Sequence, residues 1–191
     1  MNVYSSVVFL HIASATVLIG SSLSSQFVRD ALRRARTVRE VAGWLDFERR
    51  STRANPIAAM TLLATGLYLG SAGWWTSGWF VVSVVLFVFS AAWAVRVVVT
   101  ELGLIGRAAA EASDGPVPAA LNELRWSERL DLAADALLGA DAAALFLMVA
   151  KPGPAGAIGV AALGLSAAFA ARLVRKRTRA MASGAMTSSD A

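Results

Sequence analysis

The sequence predicts an all-α fold: a five-helix transmembrane bundle, N-terminus outside and C-terminus cytoplasmic, with the third and fourth helices extended into the cytoplasm. Three observations predict it. Residues 54–95 form a run of 42 positions without a charged side chain. Of the 191 residues, 57% are hydrophobic and 16% charged, against about 25% charged in a typical soluble domain. The basic residues fall in blocks between or after apolar stretches. A helix of about 20 apolar residues spans the hydrocarbon core, and in lipid a helix satisfies its own backbone hydrogen bonds.

The first apolar span covers Val3 to Val28. Only Met1 and Asn2 precede it and arginines follow it, the reverse of a secretory signal, so it reads as an uncleaved helix. The second starts at Asn55-Pro56, a cap followed by proline at the first helical position, and ends near Gly70. A glycine-rich link with Trp74, Trp75 and Trp79 suits an interfacial aromatic belt. The third span runs from Trp79 past Arg96, and its helical pattern continues through Glu101, Arg107 and Glu111. The run Ser113-Asp114-Gly115-Pro116-Val117-Pro118 breaks it. The fourth resumes at Pro118 and continues without interruption to Ala150, a length of roughly 50 Å. The fifth covers Ala155 to Val174, and its Gly156, Gly159, Gly164 and Ala168 allow close packing within the bundle or against an oligomer partner. Residues 1–182 read as one bundle and 183–191 as a polar, disordered tail.

Five crossings put the three basic blocks on one side. Arg29, Arg33, Arg34, Arg36, Arg39, Arg49, Arg50 and Arg53 separate the first two spans. Arg107, Arg125 and Arg129 separate the third and fourth, and Arg172, Arg175, Lys176, Arg177 and Arg179 follow the fifth. Only Lys151 lies opposite. The positive-inside rule makes the basic side cytoplasmic in an inner-membrane, multi-pass protein. Between the first two spans, Ala31 to Leu45 carries apolar residues at helical spacing with arginines between. It reads either as an interfacial amphipathic helix drawn to anionic lipid or as an extension of the first helix packed on its neighbour.

A turn centred near residue 115 places Arg107 level with Glu123, Glu101 with Arg129, and Arg96 with Asp135. All three pairs have opposite sign. Charges at bilayer depth need a partner or a purpose. Arg96, Asp131 and Asp135 fall at one depth and are expected to form a structural ion pair. His11 and Asp141 each sit eight to nine residues in from the outer ends of their helices, with Thr61 and Ser90 near that level. Together they are expected to form a buried polar layer, with His11 and Asp141 in direct or one-water reach. A histidine held by a carboxylate suits a haem or metal ligand, a proton relay or a plain buried hydrogen bond.

The chain has no cysteine, which excludes disulfides, iron–sulfur ligation and thiolate zinc. Its net charge of +5 is distributed as a membrane-orientation footprint, so no nucleic-acid partner is expected. There is no phosphate loop, nucleophile–base pair or HExxH pattern, and enzymatic activity is left open.

Phe9-Leu10-His11 with Ile19-Gly20, Thr65-Gly66-Leu67, and Met148-Val149-Ala150-Lys151-Pro152 resemble motifs of small bacterial membrane proteins of the CopD-type copper-resistance class, and more distantly of HemJ-type protoporphyrinogen oxidases. The resemblance implies a helical bundle whose first-helix histidine, His11 here, binds haem b or copper for electron transfer. Two departures stand out: Leu18 occupies a position where tryptophan is common, and no second histidine exists. Haem would need Met60, Met148, a solvent ligand or a second protomer as its other ligand. Two alternatives stay open. One is an accessory or scaffold subunit docking a partner membrane protein, a second copy or anionic lipid through the basic face. The other is a transporter or proton-conducting module.

Cysteines introduced at Asn2 and Ser77 are expected to react with an impermeant thiol reagent in intact cells. Reaction of a cysteine at Ser113 under the same conditions would sink the topology.

Overall fold

A computed structural model of the chain describes residues 2–167 and 169–170. Among these the chain is all helix apart from turns and one isolated bridge. The helices are α1 (Val3–Arg34), α2 (Val38–Ser51), α3 (Asn55–Gly70), α4 (Gly78–Trp93), α5 (Thr100–Glu111), α6 (Ala119–Arg125), α7 (Glu128–Ala150) and α8 (Pro154–Ala167). A π-helical turn, Ala94–Val99, joins α4 to α5. Three helical stretches are long and apolar enough to cross a membrane: α1, Gly78–Glu111 and Ala119–Ala150. The shorter α3 and α8 complete a five-helix bundle. The expected continuation of the fifth helix to Val174, its Ala168, the last basic block and the 183–191 tail lie outside the described residues.

Local chemistry sets the helix ends. The Asn2 side chain accepts from Ser5 N at 2.8 Å and caps α1. The Thr37 hydroxyl accepts from Glu40 N at 3.2 Å and caps α2. Pro56 stands in the first turn of α3, where its missing N–H costs nothing. The open C-terminal carbonyls of α1 are taken by a distant side chain. Arg125 Nη1 donates to Leu32 O at 2.9 Å and to Ala35 O at 2.5 Å. A guanidinium at a helix C-terminus also meets the negative end of the macrodipole.

The two long stretches after α3 form the expected hairpin. Each exceeds 30 residues, roughly 48–51 Å against about 30 Å of hydrocarbon. The excess lies at the arginine-rich end and carries its own core. Val28, Leu32 and Ala35 from the end of α1, Val38 and Val41 of α2, Ile105 and Ala109 of α5, Leu121 of α6 and Leu130 of α7 are all buried together. The hairpin tip is tied to the α1–α2 corner: Val38 N donates to Gly115 O at 3.0 Å, and Val117 N to Arg36 O at 3.2 Å. Gly115 has φ 147°, a conformation that favours glycine.

Four expectations need correction. The first helix does not stop near Val28 but continues to Arg34, because its last turns belong to the projecting core. The Ala31–Leu45 segment is not one helix. It breaks at residues 35–37, and α2 then packs Val38 and Val41 against α1 and α5, as the alternative of packing on a neighbour had it, while Trp44 and Phe47 on its other side stay exposed. The fourth span is interrupted at Trp126 and Ser127, where the Ser127 hydroxyl accepts from Leu130 N at 3.3 Å and restarts the helix. Trp79 is buried with Phe80, Leu147 and Ala157 rather than serving as belt, while Trp74 and Trp75 stay exposed.

At the tryptophan-rich end the packing is close and apolar. A Cβ on Gly139 of α7 would lie 2.0 Å from Gly164 O of α8, and one on Gly164 would lie 2.8 Å from Ala143 Cβ. Gly164 thus has the packing role expected of it, whereas Gly159 faces open space. Lys151 turns the chain with φ 46° and lays its ammonium over Trp74 at 4.8 Å and Trp79 at 5.5 Å.

Gly139→Ala is expected to destabilise the protein by about 1–3 kcal/mol through overpacking, and Gly159→Ala to leave it unchanged. Reversible unfolding in detergent reads both.

Candidate functional site

The polar residues of α1 recur on one side of its arginine-rich half, and this pattern builds the most elaborate side-chain cluster in the described residues. Gln26, Arg29 and Arg33 lie three to four apart and so share a face. That face meets α7. Arg29 is 4% exposed. Its Nη2 donates to Asp135 Oδ1 at 3.0 Å, its Nη1 donates to Asp131 O at 3.1 Å, and Nη1 also lies 3.5 Å from Asp131 Oδ1. Arg29 further donates to Gln26 Oε1, and Arg33 pairs with Asp131. Gln26 Nε2 closes the set by donating to Ala134 O at 3.0 Å. The Arg33 guanidinium also stacks over Trp126 at 5.0 Å.

Asp131 and Asp135 are thus in a structural ion-pair cluster, but the expected partner is wrong. Arg96 is exposed on the π-helical turn and forms no ion pair among the described residues. The wide turn shifts the helical phase by a residue, so Arg96 does not present the face an unbroken α-helix would give it. Of the three level pairs, Arg129 and Glu101 do meet, at 3.7 Å, and Ser127 Oγ also donates to Glu101 at 3.0 Å. Arg107 and Glu123 are both exposed and form no ion pair among the described residues.

The His11–Asp141 pair does not form. His11 Nδ1 lies 3.1 Å from Thr65 Oγ1 on α3. Asp141 instead lies beside Ser22 of α1. Ser22 is eleven residues from His11, roughly 16 Å along the helix. The reason is an offset. With Asp141 level with Ser22, α7 ends near the level of Ala13, and the first ten residues of α1 run on beyond it. Equal counts from two helix ends therefore do not mean equal depth. Of the expected polar layer, Thr61 contributes its carbonyl, which accepts from Thr65 Oγ1 at 2.5 Å, and no hydrogen bond links Ser90 to it.

The Thr65 hydroxyl has one proton. With that proton given to Thr61 O, Thr65 accepts from Nδ1–H, which leaves the lone pair of His11 on Nε2. Gly66 lies against the ring: a Cβ there would come within 3.2 Å of Cε1. The arrangement is a half-buried hydrogen bond with the Leu62 carbonyl also beside the ring, and in this tautomer Nε2 keeps its lone pair. As a cofactor site it is short of donors. Haem b within one chain would need a second axial ligand, and Met60 lies about 140° round α3 from Thr65 at 3.6 residues per turn and is 67% exposed. Met148 is exposed near the end of α7. Among the described residues no three His, Asp or Glu side chains gather where a metal ion would be held. These residues do not fit a copper chelate or a haem with two ligands from one chain.

Sequence reading missed Glu48, and it took Asn55 as the cap of its helix, whereas Ala54 stands at the cap without a side-chain bond and Asn55 is the first helical residue. Glu48 is 5% exposed near the end of α2, and its Oε1 lies 2.5 Å from Ser25 Oγ, which donates to the carboxyl when it is ionised. Asn55 Nδ2 donates to Ser21 Oγ at 2.8 Å, joining the start of α3 to the same side of α1. Burial pushes the Glu48 carboxyl up from its ordinary range, against the opposing pull of Ser25. A charged residue flanked by Phe47 and Arg49 on an amphipathic helix reads as surface, and only the break before α2 turns it inward.

A family described as a predicted integral membrane protein, DUF2269, matches residues 5–152 of the chain. No curated protein and no solved structure matches it.

Arg29→Ala is expected to cost about 3–5 kcal/mol, because it leaves buried carboxylates with less than their full set of donors. Arg96→Ala is expected to cost under about 0.5 kcal/mol, as surface substitutions do. Comparative unfolding in detergent decides, and equal losses would contradict the assignment of the cluster to Arg29.

Proposed function

The chain belongs to the DUF2269 family of predicted integral membrane proteins, and from that premise we propose that it is an accessory membrane protein that presents a rigid helical platform on the cytoplasmic side. One observation carries this reading: the projecting end has a hydrophobic core of its own, drawn from α1, α2, α5, α6 and α7. A chain that only crossed the bilayer would not need it. The rim of the platform supports a seat on anionic lipid. Phe27, Trp44 and Phe47 are exposed at this end, as are Arg39, Arg49 and Arg50, whose side chains are largely in solvent although paired with Asp114 and Asp46. Aromatic rings and arginines together favour the headgroup region, and each arginine near an anionic leaflet adds about 1 kcal/mol of attraction.

The second reading is electron transfer through haem b or copper at His11. It is supported by the unused Nε2 lone pair and by the short CopD-like motifs. It needs a ligand from outside the chain, from solvent or a second copy. A transporter reading has less support, since Asp131 and Asp135 are spent on Arg29 and Arg33 and only Asp141, beside Ser22, is left without a charged partner among the described residues.

The protein reconstituted in nanodiscs is expected to unfold at higher temperature with phosphatidylglycerol than with phosphatidylcholine. Arg49→Gln with Arg50→Gln is expected to remove most of that difference, a loss of about 2 kcal/mol. Identical behaviour in the two lipids would refute the lipid seat. A Soret band in detergent-purified protein, lost in His11→Ala, would overturn the platform reading in favour of the haem carrier.

A further inference from the structure

Between α1, α2, α7 and the π-turn–α5 segment lies a small, partly open cavity of about 10 Å³, lined by Ser25, Val28, Arg29, Glu48, Val98, Leu102, Leu130 and Ala134. That is room for one water molecule. Two of its lining residues carry a buried polar atom without a protein partner: the donor Arg29 Nε and the acceptor Glu48 Oε2. Leaving either unsatisfied in such a place is costly. A donor and an acceptor facing one water-sized space match a single water, which accepts from Nε–H and donates to Oε2. A metal cation does not suit the site, because the guanidinium faces it.

The proton count at Ser25 adds a second observation. Ser25 Oγ lies 2.5 Å from Glu48 Oε1 and 3.0 Å from Ser21 O. Its one hydrogen cannot serve both. A neutral Glu48 resolves the count: the carboxyl O–H donates to Ser25 Oγ, and Ser25 donates to Ser21 O. Arg29 makes no direct ion pair with Glu48, since its two terminal nitrogens are directed at Gln26, Asp131 and Asp135 and its charge is largely offset by those two carboxylates. No other charged side chain lines the cavity. Val98 and Leu102 face it from the π-turn and α5, and Leu130 and Ala134 from α7.

We propose that this cavity is a single-water site through which Glu48 gains and loses a proton, and that the neutral carboxyl is the form that latches α2 onto α1. The inference is independent of what the platform docks. Burial raises the carboxyl above its ordinary range in the folded protein, so the folded state holds the proton to higher pH than the unfolded state does. Its contribution is complete below the ordinary glutamate range and declines as pH rises through the raised folded value. Glutamine reproduces the neutral form, with an N–H in place of the carboxyl O–H.

The test is hydrogen–deuterium exchange of α2 in the full chain in nanodiscs, as protection factors against pH. In the wild type, protection of α2 is expected to fall by up to about tenfold per pH unit across the titration of Glu48. Glu48→Gln is expected to stay flat at the wild type's acid-side level. Infrared difference spectra supply the second measurement. A protonated-carboxyl band that shifts in heavy water and is lost in Glu48→Gln is expected. The same pH profile in both proteins would overturn the latch. A wild type without that band at any pH would overturn the proton, and a band insensitive to heavy water would overturn the water site.

Discussion

Arg29 is a cation buried almost completely where four helical elements converge, and its demands order the rest of the arginine-rich end. Removing a guanidinium from water costs several kcal/mol unless nearly every donor finds an acceptor. α7 meets that demand with Asp135, Asp131 and a backbone carbonyl. Because the guanidinium fork is planar and directional, the contact fixes how α1 is rotated about its axis as well as how far it stands from α7. Once that rotation is set, His11, Ser14, Ser21, Ser25, Val28 and Leu32 fall on connected faces of α1. They meet α3 at one end and α2 at the other.

The two ends of the bundle are held by different physics. At the arginine-rich end, charged groups and backbone carbonyls are bonded side chain by side chain, with Arg29 Nε, Arg33 Nε and Glu48 Oε2 the buried exceptions, and the helices project far enough to enclose an apolar core. Arg125 belongs to this scheme. It closes the open carbonyls of α1 and so lets the chain turn sharply into α2. At the tryptophan-rich end there is little polar material to satisfy. Small residues bring backbones together, as Gly139 and Gly164 do, and contact area replaces directional bonding. His11 and Thr65 form one isolated polar bond within that apolar end, complete except for a single nitrogen lone pair.

This division bears on function. The groups that a transport path or a redox centre would use are few at the tryptophan-rich end. The buried charged groups Arg29, Glu48, Glu101, Arg125 and Asp135 lie at the other. Glu48 stands at the joint where α2 returns to the bundle, so any change in its charge acts on the connection between the projecting core and the membrane-spanning helices.

The sequence by itself determined the helices and the plan of the bundle. Apolar length and the absence of charge over residues 54–95 dictate membrane helices, and proline and glycine near residue 115 dictate the hairpin that joins two over-long ones. Even the Glu101–Arg129 contact follows from counting residues back from that turn. These features depend on composition and on distance along the chain, which a sequence states directly. What only the tertiary structure decided is which faces meet. Arg29 and Arg33, rather than Arg96, reach Asp131 and Asp135 because a π-helical turn changes the phase of one helix. His11 meets Thr65 rather than Asp141 because α1 and α7 are offset along their axes. Glu48 is buried because a break of three residues folds α2 back on α1. Rotation about a helix axis and sliding along it leave the hydrophobic pattern almost unchanged, so one sequence is compatible with many such settings until packing and the pairing of buried charges select one.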